Sequence, residues 1–207
     1  LSLFTGCGAN VTDSEKNTAV SLTDMMGRQV ELSKPATKVV VLTASDCEII
    51  YALGAGSTVI ARGEFCNYPK EALELTQVSS GSETNIEQII SLAPDAVIMN
   101  SMAQTTEQVE ALENAGIKVV MNDAKTIEEV YTSIEIIGKV TGKESEAANL
   151  ITEMKKGFEE IAAAAEKNSG KTVYFEVSPL EYGLWTAGKG TFMDEISNML
   201  GVTNIFS

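Results

Sequence analysis

Short apolar runs alternate along this chain with segments that carry helix-start signals, and this alternation limits the fold more than any other feature. The runs are Lys38–Leu42, Thr58–Ala61, Ala96–Met99 and Ile117–Met121. Continuous apolar runs of this length are typical of strands buried on both faces of a parallel sheet. Strands joined through helices predict an α/β domain whose ligands bind beyond the carboxyl ends of the strands. The expected binding loops therefore follow Leu42, Ala61, Val78 and Met99.

Three of the predicted helices begin with a polar residue that is followed three positions later by Glu or Gln, as in a capping box. The pairs are Ser45 with Glu48, Asn85 with Gln88, and Thr126 with Glu129. A further helix is predicted over 106–114, before Gly116. Ahead of all these elements, the alternating segment Val20–Leu32 predicts a hairpin that turns at Gly27.

The segment from Glu144 to Lys167 predicts one long helix. Its apolar residues recur at intervals of three and four, which places them on one face. They are Ala147, Ile151, Met154, Phe158, Ile161 and Ala165. A strand over Lys171–Val177 and a helix that opens at 191–194 predict the start of a second α/β lobe. The remaining chain is too short to complete that lobe, so we expect the sequence to be cut at its back end.

The composition argues against several classes of function. The chain has no histidine, which removes the commonest general base, the commonest zinc ligand and the Ser-His type of triad. The net charge of −14 argues against nucleic acid as a partner, because binding to phosphates requires Lys and Arg. Nucleotide-binding glycine motifs and a Gly-x-Ser-x-Gly elbow are also missing from the sequence. We therefore predict that the protein is not an enzyme, with no catalytic residues, no cofactor and no metal ligands.

The N-terminal segment Leu1–Gly8 resembles a bacterial lipobox, in which small residues precede a cysteine that becomes lipidated. This resemblance implies that Cys7 is the lipidation site and that residues 1–19 form a lipobox remnant and a tether. The protein would then lie on the outer face of the bacterial cell membrane, or in the periplasm, held by a lipid anchor. With no initiating Met and no basic region, the sequence is also expected to be cut at its front end. An ordinary cysteine is the alternative reading of Cys7.

The order of these segments resembles the helical-backbone class of periplasmic binding proteins, which serve ABC importers for cobalamin, haem and iron–siderophore complexes. The resemblance rests on short motifs at matching intervals. They are Thr23-Asp24, Gly27-Arg28, Glu48–Gly56, Asn67-Tyr68-Pro69, Asn85-Ile86-Glu87, Leu92–Asp95, Ala187–Gly190, Gly201 and Asn204–Phe206. It implies an α/β fold of two Rossmann-like lobes joined by one long helix. The expected parts are a first lobe over 20–142, the joining helix over 143–168 and an incomplete second lobe over 169–207.

The resemblance also implies which residues bind the ligand. The candidates are Ser45, Asp46, Phe65, Tyr68, Ser82, Glu83, Asn100, Tyr182 and Trp185. Aromatic side chains suit a flat or apolar ligand, since they bury much area at little entropic cost. Other roles stay open: Ser45 and Asp46 could only cap a helix, and Tyr68 could pack under its own turn.

An iron–siderophore complex is the favoured ligand, because an intact chelate needs no metal ligand from the protein. Cobalamin is less favoured, since Gly81 and Asn100 stand where cobalamin-binding members resemble one another by aromatic residues. Haem would need tyrosinate ligation by Tyr68 or Tyr182. The family resemblance further assigns Glu87 to docking on arginines of the membrane permease, although a carboxylate there also complements a helix dipole. We expect a monomer.

Two other classes of function stay open on the sequence. One is a surface adhesin or sensor on the same fold. The other is a cysteine-dependent enzyme, which would need a base near Cys47 or Cys66 other than histidine. A disulfide between these two cysteines is compatible with an extracytoplasmic setting, but free, partly buried thiols are the favoured reading.

Overall fold

The computed structural model describes residues 18–81, 83–102, 104–165, 168 and 170–207. Two predicted functional residues, Cys7 and Ser82, lie outside these ranges. Within the described part of the chain, no helix is both long and apolar enough to cross a membrane.

The predicted hairpin is confirmed as β1 (Val20–Thr23) and β2 (Gln29–Leu32), which pair antiparallel. Its turn places Gly27 at a positive φ of 79°, a region that glycine adopts without steric cost. Asp24 stabilises the turn by accepting from the backbone N–H of Arg28 at 2.9 Å, and its other oxygen accepts from the N–H of Met121 at 3.1 Å. The hairpin is therefore fastened to the main sheet through one buried carboxylate.

The main sheet has five parallel strands in the spatial order β5-β4-β3-β6-β7. The strands are β3 (Val39–Val41), β4 (Val59–Gly63), β5 (Thr76–Val78), β6 (Ala96–Met99) and β7 (Lys118–Met121). All residues of β3 and β6 are buried, as the apolar runs predict. From β3, the strands β4 and β5 follow on one side of the sheet, and β6 and β7 then follow on the other side. A crevice between β3 and β6 at their carboxyl ends follows from this reversal.

Helices cover both faces of the sheet. They are α1 (Ala44–Ala52), α2 (Ile86–Leu92), α3 (Thr106–Asn114) and α4 (Ile127–Thr141). One core lies between the sheet and α1 and α4, and a second lies between the sheet and α2 and α3.

The predicted helix starts are largely confirmed. Asn85 caps α2, and Thr126 forms a capping box with Glu129 at the start of α4. The start predicted from Ser45 is wrong, because Thr43 holds the N-cap position of α1 and Ser45 lies inside the first turn. The hydroxyl of Thr43 donates a hydrogen bond to the carboxyl group of Asp46 in this first turn.

The long helix is α5 (Glu144–Ala164), which ends a few residues before the predicted limit. It packs against α4 where Gly138 faces Ala147, and an added Cβ at Gly138 would lie 2.7 Å from the Cβ of Ala147. The predicted apolar stripe is buried at Ala147, Ile151 and Ala165 but interrupted at Ile161, which is 51% exposed. The stripe was read from periodicity alone, which does not specify how far a partner surface extends.

The segment after α5 contains β8 (Thr172–Val173), α6 (Phe192–Met199) and β9 (Thr203–Asn204). The strand predicted over 171–177 is thus much shorter, because β9 pairs with only two of its residues. The carboxylate of Glu195 in α6 accepts the N–H of Ile127 at 2.9 Å, which ties this segment to α4. The chain thus has an α/β fold with a parallel sheet and one long helix, and the limits of the predicted lobes stay a prediction.

Candidate binding cavity

A cavity of about 570 Å³ opens at the carboxyl ends of the central strands. This size lies within the usual range for small-molecule sites. Its lining comes from the loops after β4, β6 and β7 and from α1, α4, α5 and α6. The lining residues are Ser45, Asp46, Glu48, Ile49, Ala52, Tyr68, Asn100, Met102, Asn122, Asp123, Ala124, Val130, Ser133, Ile134, Leu150, Met154 and Phe192. The cavity therefore occupies the crevice that the strand order predicts.

Asp46 forms the buried acidic part of the wall, with only 2% of its surface exposed. Its Oδ1 accepts from Nδ2 of Asn122 at 2.6 Å, and its Oδ2 accepts from the hydroxyl of Thr43. Burial raises the pKa of Asp46 to about 7, and the charge of Asp123 acts in the same direction, whereas the two hydrogen bonds oppose the shift. The carboxyl group thus holds its proton to a higher pH than an exposed aspartate does.

Asn122 is held beside Asp46 by the end of β7. Its backbone N–H donates to the carbonyl oxygen of Met99 at 2.9 Å, and its Nδ2 also donates to the hydroxyl of Ser133 at 2.5 Å. The two contacts of Nδ2, with Asp46 and with Ser133, fix which way the side-chain amide points, so Oδ1 faces away from the Asp46 carboxyl group. This Oδ1 has no hydrogen-bond donor among the described residues. An unpaired acceptor in a buried amide is costly, and this oxygen is itself shielded from solvent.

The opposite wall is apolar. Leu150 and Met154 come from α5, Phe192 comes from the start of α6, and Val130 and Ile134 come from α4. These side chains offer methyl, thioether and aromatic surface to a ligand, while the polar groups come from α1, from the loops after β6 and β7, and from Ser133 of α4. The cavity can therefore bury an apolar body and hydrogen-bond one of its edges.

The structure places four of the nine predicted ligand-binding residues on the cavity wall, namely Ser45, Asp46, Tyr68 and Asn100. Four others lie outside the lining and are exposed: Phe65, Glu83, Tyr182 and Trp185. Trp185 is 65% exposed, and its Nε1 donates to the carbonyl oxygen of Tyr182 at 2.9 Å. The ninth, Ser82, lies outside the described residues. Contact between any of these residues and a ligand stays a prediction.

Sequence reasoning missed Asn122 and the apolar wall. Asn122 directly follows a predicted strand, so the signal that identified Asn100 after Met99 was also present after Met121. Leu150 and Met154 could not be found this way, because only the packing of α5 brings them to the cavity.

Cys47 and Cys66 are buried free thiols behind the α1 side of the cavity. They share a hydrogen bond, and this contact together with burial raises the pKa of the Cys66 thiol well above its usual range. Among the described residues, no group of three or more Cys, Asp or Glu is arranged to hold a metal ion. Buried thiols beside carboxylates do not form the electropositive, accessible setting of a reactive cysteine.

Comparison with known proteins decides the family. Residues 39–207 match the family described as Periplasmic binding protein. The chain belongs to this family. It is 36% identical to an ABC transporter substrate-binding lipoprotein of Bacillus subtilis (strain 168), named YvrC and described as uncharacterized, over 98% of this chain and 68% of that protein. It is 30% identical to a vitamin B12-binding protein of Pectobacterium atrosepticum, over 82% of this chain and 62% of that protein.

A solved structure of a solute-binding protein shares the fold of this chain. It is described as a possible iron-binding (periplasmic solute-binding) protein from Staphylococcus epidermidis, and it superposes with a TM-score of 0.71 at 28% identity. The match covers 84% of this chain and 67% of that one. The chain thus spans roughly two thirds of the relatives that it matches. These relatives are named as substrate-binding, vitamin B12-binding or solute-binding proteins.

Glu87 lies in the first turn of α2 and is exposed. It sits on the opposite face of the sheet from the cavity-lining helix α4, since α2 packs into the second core. Its side chain is therefore free of the cavity and open to a partner.

Proposed function

We propose that this chain is the greater part of an extracytoplasmic substrate-binding lipoprotein that delivers a metal chelate to an ABC importer. The observation that carries the proposal is a cavity of about 570 Å³ at the strand-end crevice of a periplasmic binding protein fold. One wall is apolar and the other carries hydrogen-bonding groups, as a site for an intact bulky ligand requires.

An iron–siderophore complex is the favoured ligand, with haem and cobalamin as alternatives. A siderophore supplies all the metal ligands itself, so the protein needs only to enclose the complex. Among the described residues, the lining offers no histidine or cysteine to a metal, and Tyr68 is its one phenol. The similarity to an iron-binding solute-binding protein supports this choice, whereas the vitamin B12-binding relative supports cobalamin.

The partners of the complete protein follow from the same proposal. Lipidation at Cys7 would anchor it to the outer face of the membrane, and Glu87 would dock on arginines of the ABC permease. The exposed position of Glu87 on a helix remote from the cavity supports a docking role. We propose that the protein acts as a monomer.

Isothermal titration calorimetry tests the proposal with ferrioxamine B, haemin and cyanocobalamin in turn. The Ala52→Trp variant places a bulky side chain on the cavity wall, and Ala148→Trp on an exposed position of α5 is its matched control. The expected result is saturable 1:1 binding of one ligand class, weakened about tenfold or more by Ala52→Trp and unchanged in the control. Binding of none of the three ligands, or equal binding by both variants, would overturn the proposal.

A further inference from the structure

The cavity wall carries an unbalanced charge. Three carboxylates line it, those of Asp46, Glu48 and Asp123, and no Lys or Arg is among the described residues of the lining. Lys125 forms an ion pair with Asp123, its Nζ lying 3.8 Å from Oδ2, but 70% of the lysine side chain is exposed. Solvent screens such a surface ion pair strongly.

This charge distribution opposes an anionic ligand. An anion in the cavity would meet carboxylates without an arginine or lysine to pair with, in a setting partly removed from water. The N-terminus of α1 opens on the same wall, and its dipole alone would favour an anion. However, Asp46 occupies that first turn, so the site for an anion already holds an acidic group.

The same wall favours a ligand that donates hydrogen bonds. An ionised carboxylate only accepts, and Glu48 is exposed on the lining, so its oxygens can receive an N–H or O–H group from a ligand. Asn122 does not add to this recognition, because its unpaired Oδ1 is shielded from solvent.

We infer that this cavity selects a neutral or cationic chelate bearing N–H or O–H donors, which Asp46 and Glu48 recognise, and that it rejects anionic chelates. The inference rests on the proposed function and narrows its ligand class. It assigns Asp46 and Glu48 to charge selection and the exposed carboxylate of Glu48 to the recognition of a donor. Among the proposed ligands, it favours ferric trihydroxamates with a free amine over haem, whose propionates are anionic.

Calorimetric titration at pH 8 and low ionic strength tests this inference with three probes. Ferrioxamine B carries a free ammonium group, its N-acetylated form has the same ferric centre without that charge, and ferric citrate is anionic. The expected order of affinity is ferrioxamine B, then the acetylated form, then ferric citrate. The step between the first two is expected to be about tenfold, as for one partly buried ion pair.

Two variants assign the selectivity to the wall. Glu48→Gln removes an exposed charge and Asp46→Asn keeps the shape of the buried group, so both are expected to fold, as thermal melts would verify. Each should reduce the preference for ferrioxamine B over its acetylated form severalfold, whereas Glu110→Gln on the exposed surface of α3 should leave it unchanged. An unaltered preference in both wall variants would overturn the inference.

The remaining outcomes separate the two proposals. Tighter binding of ferric citrate than of ferrioxamine B would overturn the charge selection but leave the proposed function standing. Failure of these probes, and of haemin and cyanocobalamin, to bind at all would overturn the proposed function and this inference together.

Discussion

Asn122 donates a hydrogen bond of 2.6 Å from Nδ2 to Oδ1 of Asp46, which joins the end of β7 to the first turn of α1 across the cavity wall. The contact places a carboxyl group in a buried site beside an amide whose own acceptor is unpaired. The other carboxylates near Asp46 are those of Asp123 and Glu48, and no described cation forms an ion pair with it. This arrangement makes the stability of the fold depend on pH.

The Asp46→Asn variant should remove that dependence. Since its folded-state pKa of about 7 lies above the ordinary value, folded Asp46 holds a proton that the unfolded chain releases at lower pH. Its contribution to the free energy of unfolding is therefore lost as pH rises to about 7. Relative to wild type, Asp46→Asn should gain about 2 kcal/mol more at pH 8 than at pH 5. Urea unfolding at both pH values measures the difference, and an equal gain at both would rule out the raised pKa.

The contact between α4 and α5 should tolerate no added methyl group. Gly138→Ala would bring a Cβ to 2.7 Å from the Cβ of Ala147, so we expect it to lower the free energy of unfolding by about 1–3 kcal/mol. Gly157→Ala in α5 is the matched control, since nothing lies within 4 Å of its added Cβ. That change should stabilise the helix by up to about 1 kcal/mol. Thermal denaturation of the two variants measures the change. A shift of both melting temperatures in the same direction would contradict this account of the helix contact.

The two described cysteines should be free but protected. Because Cys47 and Cys66 are buried and unbridged, neither is expected to react with a thiol reagent in the folded protein. Alkylation followed by mass spectrometry should add two further labels once the chain is unfolded without reductant. Absence of these labels after unfolding would show that the pair is a disulfide instead.

Glu87 should affect delivery but not binding. With its carboxylate on α2, away from the cavity lining, Glu87→Gln should leave ligand affinity unchanged and reduce stimulation of the partner ATPase severalfold. Glu110→Gln on α3 controls for the loss of one exposed charge. The docking role would be untenable if both variants stimulated the permease–ATPase complex in proteoliposomes as well as wild type does.

Local sequence signals were sufficient to predict those strands and helices whose bounds depend mainly on their own residues. The strand Ala96–Met99 and the helix 106–114 were predicted to the residue, since a fully buried apolar run and a capped amphipathic segment each have one stable solution. By contrast, the strand over 171–177 was predicted too long, because strand length depends on the pairing partner β9. The same limit applies to the site. Asp46 could be predicted from its position just after β3, whereas Met154 reaches the cavity only through the packing of α5.

The central claim is that the strand-end cavity holds the ligand. Backbone amide chemical shifts test it directly when the ¹⁵N-labelled chain is titrated with the diamagnetic gallium(III) complex of desferrioxamine B. We predict that the largest shifts fall on residues 45–52, 100–102, 122–124 and 150–154, which form the wall. Shifts centred on 29–31 and 116–119, which line a smaller cavity of about 140 Å³, or no saturable shifts at all, would contradict the claim.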